Sequence, residues 1–216
     1  MELEHIAALL EPYLDPSAHA GCLGGLSQAQ LSKISSYVDV LVRWNAKINL
    51  TSIRDPEEIV SRHFGESLFV GRHLFPQASA NADVLDIGSG AGFPGLPIKL
   101  WATNIKLTLI ESNNKKATFL REVVRLLALG NAEVFTGRAE VFPGSGYVVT
   151  LRAVERFAAM LPIAVSLLKA GGMISLLIGE DQLRSAEDAS PSVRWRAPLP
   201  LPNSQRRILL LGTVNQ

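Results

Sequence analysis

The chain of 216 residues has one cysteine, Cys22. That excludes a disulfide framework and a cysteine-built zinc site, and it suits a reducing compartment. No apolar run reaches the roughly 18 residues that span a bilayer. The opening Met1-Glu2-Leu3-Glu4-His5 lacks a basic stretch ahead of an apolar one, which predicts no signal peptide. The expectation is a cytoplasmic protein with no membrane partner. An excess of one charge is also missing. Lys and Arg number 21 against 20 Asp and Glu, a net +1, so any nucleic-acid surface must be local. No His-Glu-x-x-His or comparable spacing predicts a metal site. There is no Gly-x-Ser-x-Gly elbow, no Gly-Lys-[Ser/Thr] phosphate loop, no internal repeat and no low-complexity tract.

What is present is apolar sequence in quantity, 47% of residues, enough for a sizeable core. The chain is organised around Leu85-Asp86-Ile87-Gly88-Ser89-Gly90-Ala91-Gly92-Phe93-Pro94-Gly95. The run Ala82 to Ile87 reads as a buried parallel strand. Four glycines follow between Gly88 and Gly95, and a helical pattern runs from Pro94 to about Trp101. Glycines permit sharp turns and close approach of a ligand. A helix N-terminus offers free N–H groups to an anion, and Pro94 and Pro97 suit a first turn. The dinucleotide fingerprint Gly-x-Gly-x-x-Gly fails at Phe93. The spacing Gly88-x-Gly90-x-Gly92 behind Asp86 instead looks like the first motif of S-adenosylmethionine (SAM)-dependent methyltransferases.

Ahead of this loop the pattern is helical. Ile6, Leu9, Leu10 and Leu14 mark a short helix, and Gly21 to Gly25 a loop. Ser27 is a plausible cap for a helix carrying Leu31, Ile34, Val38, Leu41 and Val42 and ending near Trp44-Asn45. The stretch Lys47 to Arg54 is irregular and polar. Asp55-Pro56-Glu57-Glu58 starts another helix, with Asp55 as cap and Glu58 able to complete a capping box. That helix carries Ile59, His63, Ser67 and Val70.

After the loop, strands and helices alternate. The strands are Lys106 to Ile110, Ala132 to Phe135, Tyr147 to Leu151 and Met173 to Ile178. Helices are expected over Asn113 to Leu129, closed by Gly130, and Glu155 to Lys169, kinked at Pro162 and closed by Gly171-Gly172. Val193 to Ala197 and Arg207 to Leu211 suit an antiparallel pair. Such alternation argues a mostly parallel sheet with ligands at the strands' carboxyl ends.

The candidate site residues fall at those ends. Glu111 lies 23 positions after Gly88, where doubly wound sheets hold a ribose. Arg138-Ala139-Glu140 follows the third strand. Arg152 follows the fourth, and its fork suits a carboxylate or a phosphate, or else a structural ion pair. Histidine on a helix face, as at His63, is more often structural than catalytic.

Several stretches together resemble one family. They are Trp44-Asn45-x-x-Ile48-Asn49-Leu50-Thr51-Ser52-Ile53-Arg54-Asp55-Pro56, then Arg62-His63-Phe64-x-Glu66-Ser67, then Asp86 to Pro97. Glu111-Ser112-x-x-Lys115-Lys116-x-x-Phe119-Leu120, Arg138-Ala139-Glu140 and Arg152-Ala153 continue the match to residue 153. The family is that of the small-subunit ribosomal RNA guanine-N7 methyltransferases, RsmG or glucose-inhibited division protein B. The resemblance implies an α/β fold: a class I SAM-dependent methyltransferase, Rossmann-like, with a C-terminal antiparallel hairpin and an N-terminal helical extension. Residues 1–80 would form the extension and 81–216 the SAM-binding core. SAM would be held by Asp86, Gly88, Ser89, Gly90, Gly92, Phe93, Glu111, Ser112, Ala139, Glu140 and Arg152. RNA would meet Lys47, Arg54, Arg62, Lys115 and Lys116, with Arg152, Asn49 and His63 as positioning groups and no general base. The implied substrate is a guanine N7 in the decoding region of the small-subunit rRNA, naked or within the 30S subunit, with a monomer as default.

Three departures from the family pattern stand out. Tyr147 replaces an acid, Leu151 a serine, and Ile178 a lysine, while the closing Arg-His-x-x-x-x-x-Lys pattern reads Arg206 to Gly212. A changed target or lost activity is therefore one alternative. An NAD-dependent oxidoreductase is another, disfavoured by Phe93 and by the missing second βαβ half.

Overall fold

The computed structural model describes residues 1–14, 25–153 and 157–215. Among these residues the sheet has eight strands. In chain order they are β1 Asp83–Ile87, β2 Lys106–Glu111, β3 Ala132–Thr136, β4 Gly146–Arg152, β5 Leu168–Gly179, β6 Val193–Trp195, β7 Leu199–Pro200 and β8 Arg207–Val214. Their spatial order is β3-β2-β1-β4-β5-β8-β6, with β7 paired to β8. The five strands β3 to β5 are parallel, and β8 runs antiparallel to both β5 and β6. The chain leaves β1 outward through β2 and β3, then returns to its other side as β4. The carboxyl ends of β1 and β4 therefore flank the switch point, where open α/β sheets bind ligands.

The helices are α1 Leu3–Leu10, α2 Gln28–Asn45, α3 Pro56–Glu58, α4 Glu66–Leu74, α5 Gly95–Trp101, α6 Asn114–Leu126, α7 Phe157–Ser166 and α8 Leu183–Ala189. Strand residues alternate between two apolar layers. Val84, Leu107, Leu109, Leu209 and Leu211 face the layer filled by α1, α2, α4, α5 and α6. Leu85, Ile110, Leu176, Ile208 and Leu210 face the layer filled by α7 and α8. The N-terminal helices thus cover the same face as α5 and α6 and share their core.

Local chemistry explains several boundaries. Ser27 caps α2: its Oγ accepts the Gln30 N–H at 3.3 Å, and Gln30 Oε1 accepts the Ser27 N–H at 2.8 Å. Asp55 caps α3 by accepting the Glu58 N–H at 2.8 Å. Glu58 does not complete a box, because its carboxylate turns to Arg62 at 2.7 Å. The helix expected after Asp55 is not uniform. Ile59–Gly65 forms a π-helical segment between α3 and α4, a widened turn often found at functional sites.

Three further expectations are corrected. Gly130 does not close α6. The left-handed residue is Ala128, with φ 46°. Ala128 N–H bonds the Arg125 carbonyl at 3.2 Å and Leu129 N–H bonds the Val124 carbonyl at 3.1 Å. This is a Schellman ending, and the buried Leu127 and Leu129 draw the chain inward two residues early. Leu168 to Gly172 is strand, not helix, because Gly146 pairs with Leu168 at the start of β4. The expected start at Glu155 lies outside the described residues, as does the loop from Gly21 up to residue 24, with Cys22. Finally, the N–H groups at the start of α5 are not free for an anion. Gly95 N–H donates to Asp86 at 3.2 Å, and Leu96 and Ile98 N–H donate to the carbonyls of Gly92 and Pro94.

Candidate functional site

Gly88 stands between two cavities at the carboxyl ends of the strands. One, of about 520 Å³, lies under the N-terminal helices. Leu50 to Ile53, Arg62, His63, Glu66, Gly88 to Ala91, Phe93, Lys116, Arg152, Gln182 and Arg207 are among its walls. The other, of about 420 Å³, is lined by Ile87, Gly88, Ile110, Ser112, Gly137 to Glu140, Ala159, Met160 and Ile163. No group of three or more His, Cys, Asp or Glu residues placed to hold a metal occurs among the described residues.

The loop between them is held by the N-terminal helices as well as by the sheet. Gly88, Gly90 and Gly92 all have positive φ, at 67°, 55° and 88°. A side chain at Gly92 would also overlap the Tyr37 hydroxyl and a methyl of Leu96. That hydroxyl, on α2, donates to the Ala91 carbonyl at 2.5 Å. The Tyr37 ring stacks on Phe93 at 5.5 Å, and His63 packs near-parallel to Phe93 at 4.8 Å. Glu111 fastens the loop from below. Its Oε2 accepts the Gly90 N–H at 2.9 Å and its Oε1 accepts the Asn113 N–H at 2.7 Å.

Asp86 lies behind the loop and not in either cavity, fully buried. Its carboxylate accepts the Thr150 hydroxyl at 2.8 Å and the Gly95 N–H. Burial raises its pKa to about 6 against the pull of those hydrogen bonds. Asp86 is therefore a brace joining β1, β4 and α5, a correction to its reading as a direct ligand contact. Gly92 and Glu111 likewise support the loop without lining either cavity.

The most charged part of the larger cavity is one the sequence did not announce. Glu66, almost wholly buried at the start of α4, receives two arginines. Arg152 Nη2 lies 2.9 Å from its Oε2 and Arg207 Nη1 lies 2.5 Å from its Oε1. Arg152 also donates to the Arg62 carbonyl at 3.2 Å. Burial pushes Glu66 upward in pKa while the two guanidiniums pull it back. Burial lowers Arg152 to about 10, opposed by Glu66, so it stays charged. His63 is held neutral. Burial first, then Arg152, Arg62 and Arg207, lower its pKa to about 3. Its Nε2 shares a 2.7 Å hydrogen bond with Thr51 Oγ1, and its buried Nδ1 has no partner.

Thr51 is presented by Asn45. The Asn45 side chain accepts the N–H groups of Leu50 and Thr51 at 2.9 and 3.0 Å and donates to the Thr51 carbonyl at 2.9 Å. One buried amide thus folds the 46–54 segment over the cleft. The exposed Asn49 lies outside the cavity walls, so the organising asparagine of this stretch is Asn45.

The other expected residues divide. Gly88, Ser89, Gly90, Phe93 and Arg152 line the larger cavity, with Arg62 and Lys116. Gly88, Ser112, Ala139 and Glu140 line the smaller. Lys47, Arg54 and Lys115 are exposed and line neither; Lys47 edges a separate groove beside Trp44 and Glu122. Of the departures, Tyr147 is exposed at the start of β4, the far end of the sheet, and Leu151 is core. Ile178 and Arg207 are at the site.

Comparison with known proteins agrees with this geometry. The model of the rRNA small subunit methyltransferase G family matches residues 30–197. Ribosomal RNA small subunit methyltransferase G of Stenotrophomonas maltophilia (strain R551-3) is 39% identical over 157 residues, 72% of each chain. That of Xanthomonas campestris pv. campestris (strain B100) is 36% identical over 200 residues, 88% of this chain and 91% of the relative. Among solved structures, P. horikoshii TYW2 in complex with MeSAdo superposes with a TM-score of 0.59 at 19% identity. The match covers 71% of this chain and 63% of that one, a likeness of fold. A nicotinamide-dependent oxidoreductase is set aside by these matches, and the chain belongs to the rRNA small subunit methyltransferase G family.

Proposed function

We propose that this protein methylates N7 of a guanine in the decoding region of the small-subunit rRNA, with SAM as donor. The observation that carries the reading is the junction at Gly88. A cavity on one side, walled by Ile87, Ile110, Met160 and Ile163 and edged by Ser112, Arg138 and Glu140, suits adenosine, and a cationic cavity on the other suits the methionyl end together with an RNA nucleotide. The residues fit that cofactor: Ala139 and Glu140 flank the adenine side, Gly88 to Gly90 form the floor, and Glu111 at the tip of β2 fastens that floor through Gly90. Asp86 and Gly92 act by shaping that floor.

SAM supplies an activated methyl group on a sulfonium. Guanine N7 attacks with an in-plane lone pair and loses no proton, so the chain needs no general base. Its work is placement, an effect that reaches roughly 7–11 kcal/mol in well-oriented systems. His63 and Phe93 provide an uncharged wall, which suits a product ring that becomes cationic. Residues 1–80 are the extension that closes the cleft and 81–216 the methyltransferase core, acting as a cytoplasmic monomer.

The test is transfer of labelled methyl from SAM to small ribosomal subunits from cells lacking this protein. Label recovered as 7-methylguanosine is the expected result. SAM binding without transfer would overturn the reading in favour of a changed target or a lost activity.

A further inference from the structure

Arg207 is one of the positions where this chain leaves the family pattern, and it is built into the cleft. It rises from β8, the third strand out from β1 in the order β1-β4-β5-β8. At a spacing of about 4.8 Å per strand, its backbone is roughly 14 Å from the line of the glycine loop. Arg152 rises from β4, directly beside β1. The two side chains take different oxygens of Glu66. Ser204 Oγ holds Arg207 further, accepting its Nε–H at 3.3 Å and its backbone N–H at 3.1 Å. Among the described residues, Arg207 Nη2 has no protein acceptor.

The charge balance requires an anion. Among the described residues Glu66 is the one carboxylate lining the cavity; it binds Arg152 and Arg207, while Lys116 and Arg62, the latter paired with Glu58, stand elsewhere in the wall. Its single charge cannot neutralise even the two guanidiniums bound to it. The carboxylate of SAM neutralises one cation, but the sulfonium and ammonium of the same molecule add two. A second anion is needed in the outer half of the cleft, and a planar fork with a free N–H edge matches phosphate.

We propose that Arg207, braced on Glu66 and Ser204, binds a backbone phosphate of the RNA beside the target nucleotide, while Arg152 serves the cofactor side. The proposal rests on the rRNA-methylation reading, and its test separates the two. Binding of fluorescently labelled single-stranded RNA to the full chain is measured by anisotropy across a range of KCl concentrations, and SAM binding is measured by calorimetry. Methyl transfer to small subunits is followed in parallel. Arg207→Gln is expected to weaken RNA binding about tenfold at low salt and to flatten the log–log salt slope by about 0.7, the loss of one phosphate contact. KM for the subunit rises in step, kcat stays within twofold, and SAM affinity is unchanged. Arg207→Lys, which keeps the charge against Glu66, retains the salt slope and recovers part of the affinity. It is the deciding variant if the glutamine form does not fold.

Three outcomes overturn the proposal: unchanged RNA affinity and slope in both variants, a loss of SAM affinity in place of RNA affinity, or a fall in kcat alone. Absence of methyl transfer by the unaltered protein, with RNA binding still dependent on Arg207, would instead overturn the methylation reading and leave the phosphate site standing.

Discussion

On one side of Gly88, Arg152 and Arg207 bind the buried carboxylate of Glu66, with Arg62 and Lys116 also in the cavity wall. On the other, Ile87, Ile110, Met160 and Ile163 enclose a space whose charged residues, Arg138 and Glu140, are exposed. The cationic cavity is assembled from residues between 50 and 207, drawn from the N-terminal helices and from both parallel and antiparallel strands. The smaller cavity is assembled mainly from the turns that follow β1, β2 and β3, with one face of α7. The first recognises charge and depends on long-range packing. The second would take the adenine of the proposed cofactor and depends on local backbone. The contrast yields tests on each side of Gly88.

Removing Glu66 breaks the cationic side. Glu66→Ala leaves the largely buried Arg152 guanidinium without its counter-charge beside the partly exposed Arg207, and breaking a buried pair in this way costs roughly 3–5 kcal/mol. Urea unfolding should show that loss. The double variant Glu66→Ala/Arg152→Ala should lose less than the sum of the singles, because the uncompensated charge is then reduced. Additive losses would mean that the ion cluster is not a unit.

The smaller cavity breaks differently. Ala139 is nearly fully buried in the cavity wall. Ala139→Leu fills part of the space and should raise the SAM dissociation constant at least tenfold, with a stability cost of about 1–3 kcal/mol from overpacking. RNA affinity should be untouched. Equal losses of SAM and RNA affinity would show that the cavities are not separable.

The difference in construction also decides what was legible in the sequence. The glycine loop, the strand-end acid Glu111 and the turn Arg138 to Glu140 are contiguous segments, and their spacing carries the message. So are the cap at Ser27 and the order of strands and helices. The Glu66 cluster is not legible, because its members stand 86 and 141 positions from Glu66 and only the return of β8 against β5 brings Arg207 home. Asn45 was visible in its motif, but its role needed the folded loop at Leu50 and Thr51. The π-helical turn at Ile59 to Gly65 follows an ordinary helical pattern and leaves no local mark. Asp86 was found at the right place and given the wrong partner, since a carboxylate before a glycine loop reads alike whether it faces a ligand or the next helix.

Asp86 braces the loop that stands between the two cavities, and its pH dependence tests that role. Its pKa is raised to about 6 from 3.8. A group raised on folding stabilises the native state most when protonated, so its contribution is full below pH 4 and declines as pH rises through 6. The shift corresponds to roughly 3 kcal/mol over that window. Asp86→Asn should remove this component, so that the variant gains stability relative to the parent as pH rises from 4 through 6 and the two unfolding midpoints converge towards low pH. Parallel pH profiles would show that Asp86 is not desolvated. His63, held neutral, predicts no inflection near pH 6.5 in methyl transfer.

The smallest effect lies outside both cavities, and for that reason it measures the background against which the others are read. Ala128 ends α6 at φ 46°, where an alanine side chain crowds the following carbonyl at a cost of roughly 1–2 kcal/mol. Ala128→Gly relieves that strain but enlarges the freedom of the unfolded chain, by roughly 0.5–1 kcal/mol. The net gain should be about 0.5 kcal/mol. Two residues on, Gly130 has an ordinary φ and open space where a Cβ would go. Gly130→Ala therefore loses nothing in the fold and gains about 0.4–1 kcal/mol through the unfolded state. Exchanging the two should add, giving a more stable protein with unaltered SAM and RNA affinity. A destabilised double variant would place the end of α6 at Gly130 after all. A stabilised one whose ligand affinities shift would mean that the cavities respond to global stability, and that losses of binding at Glu66 or Ala139 are not local.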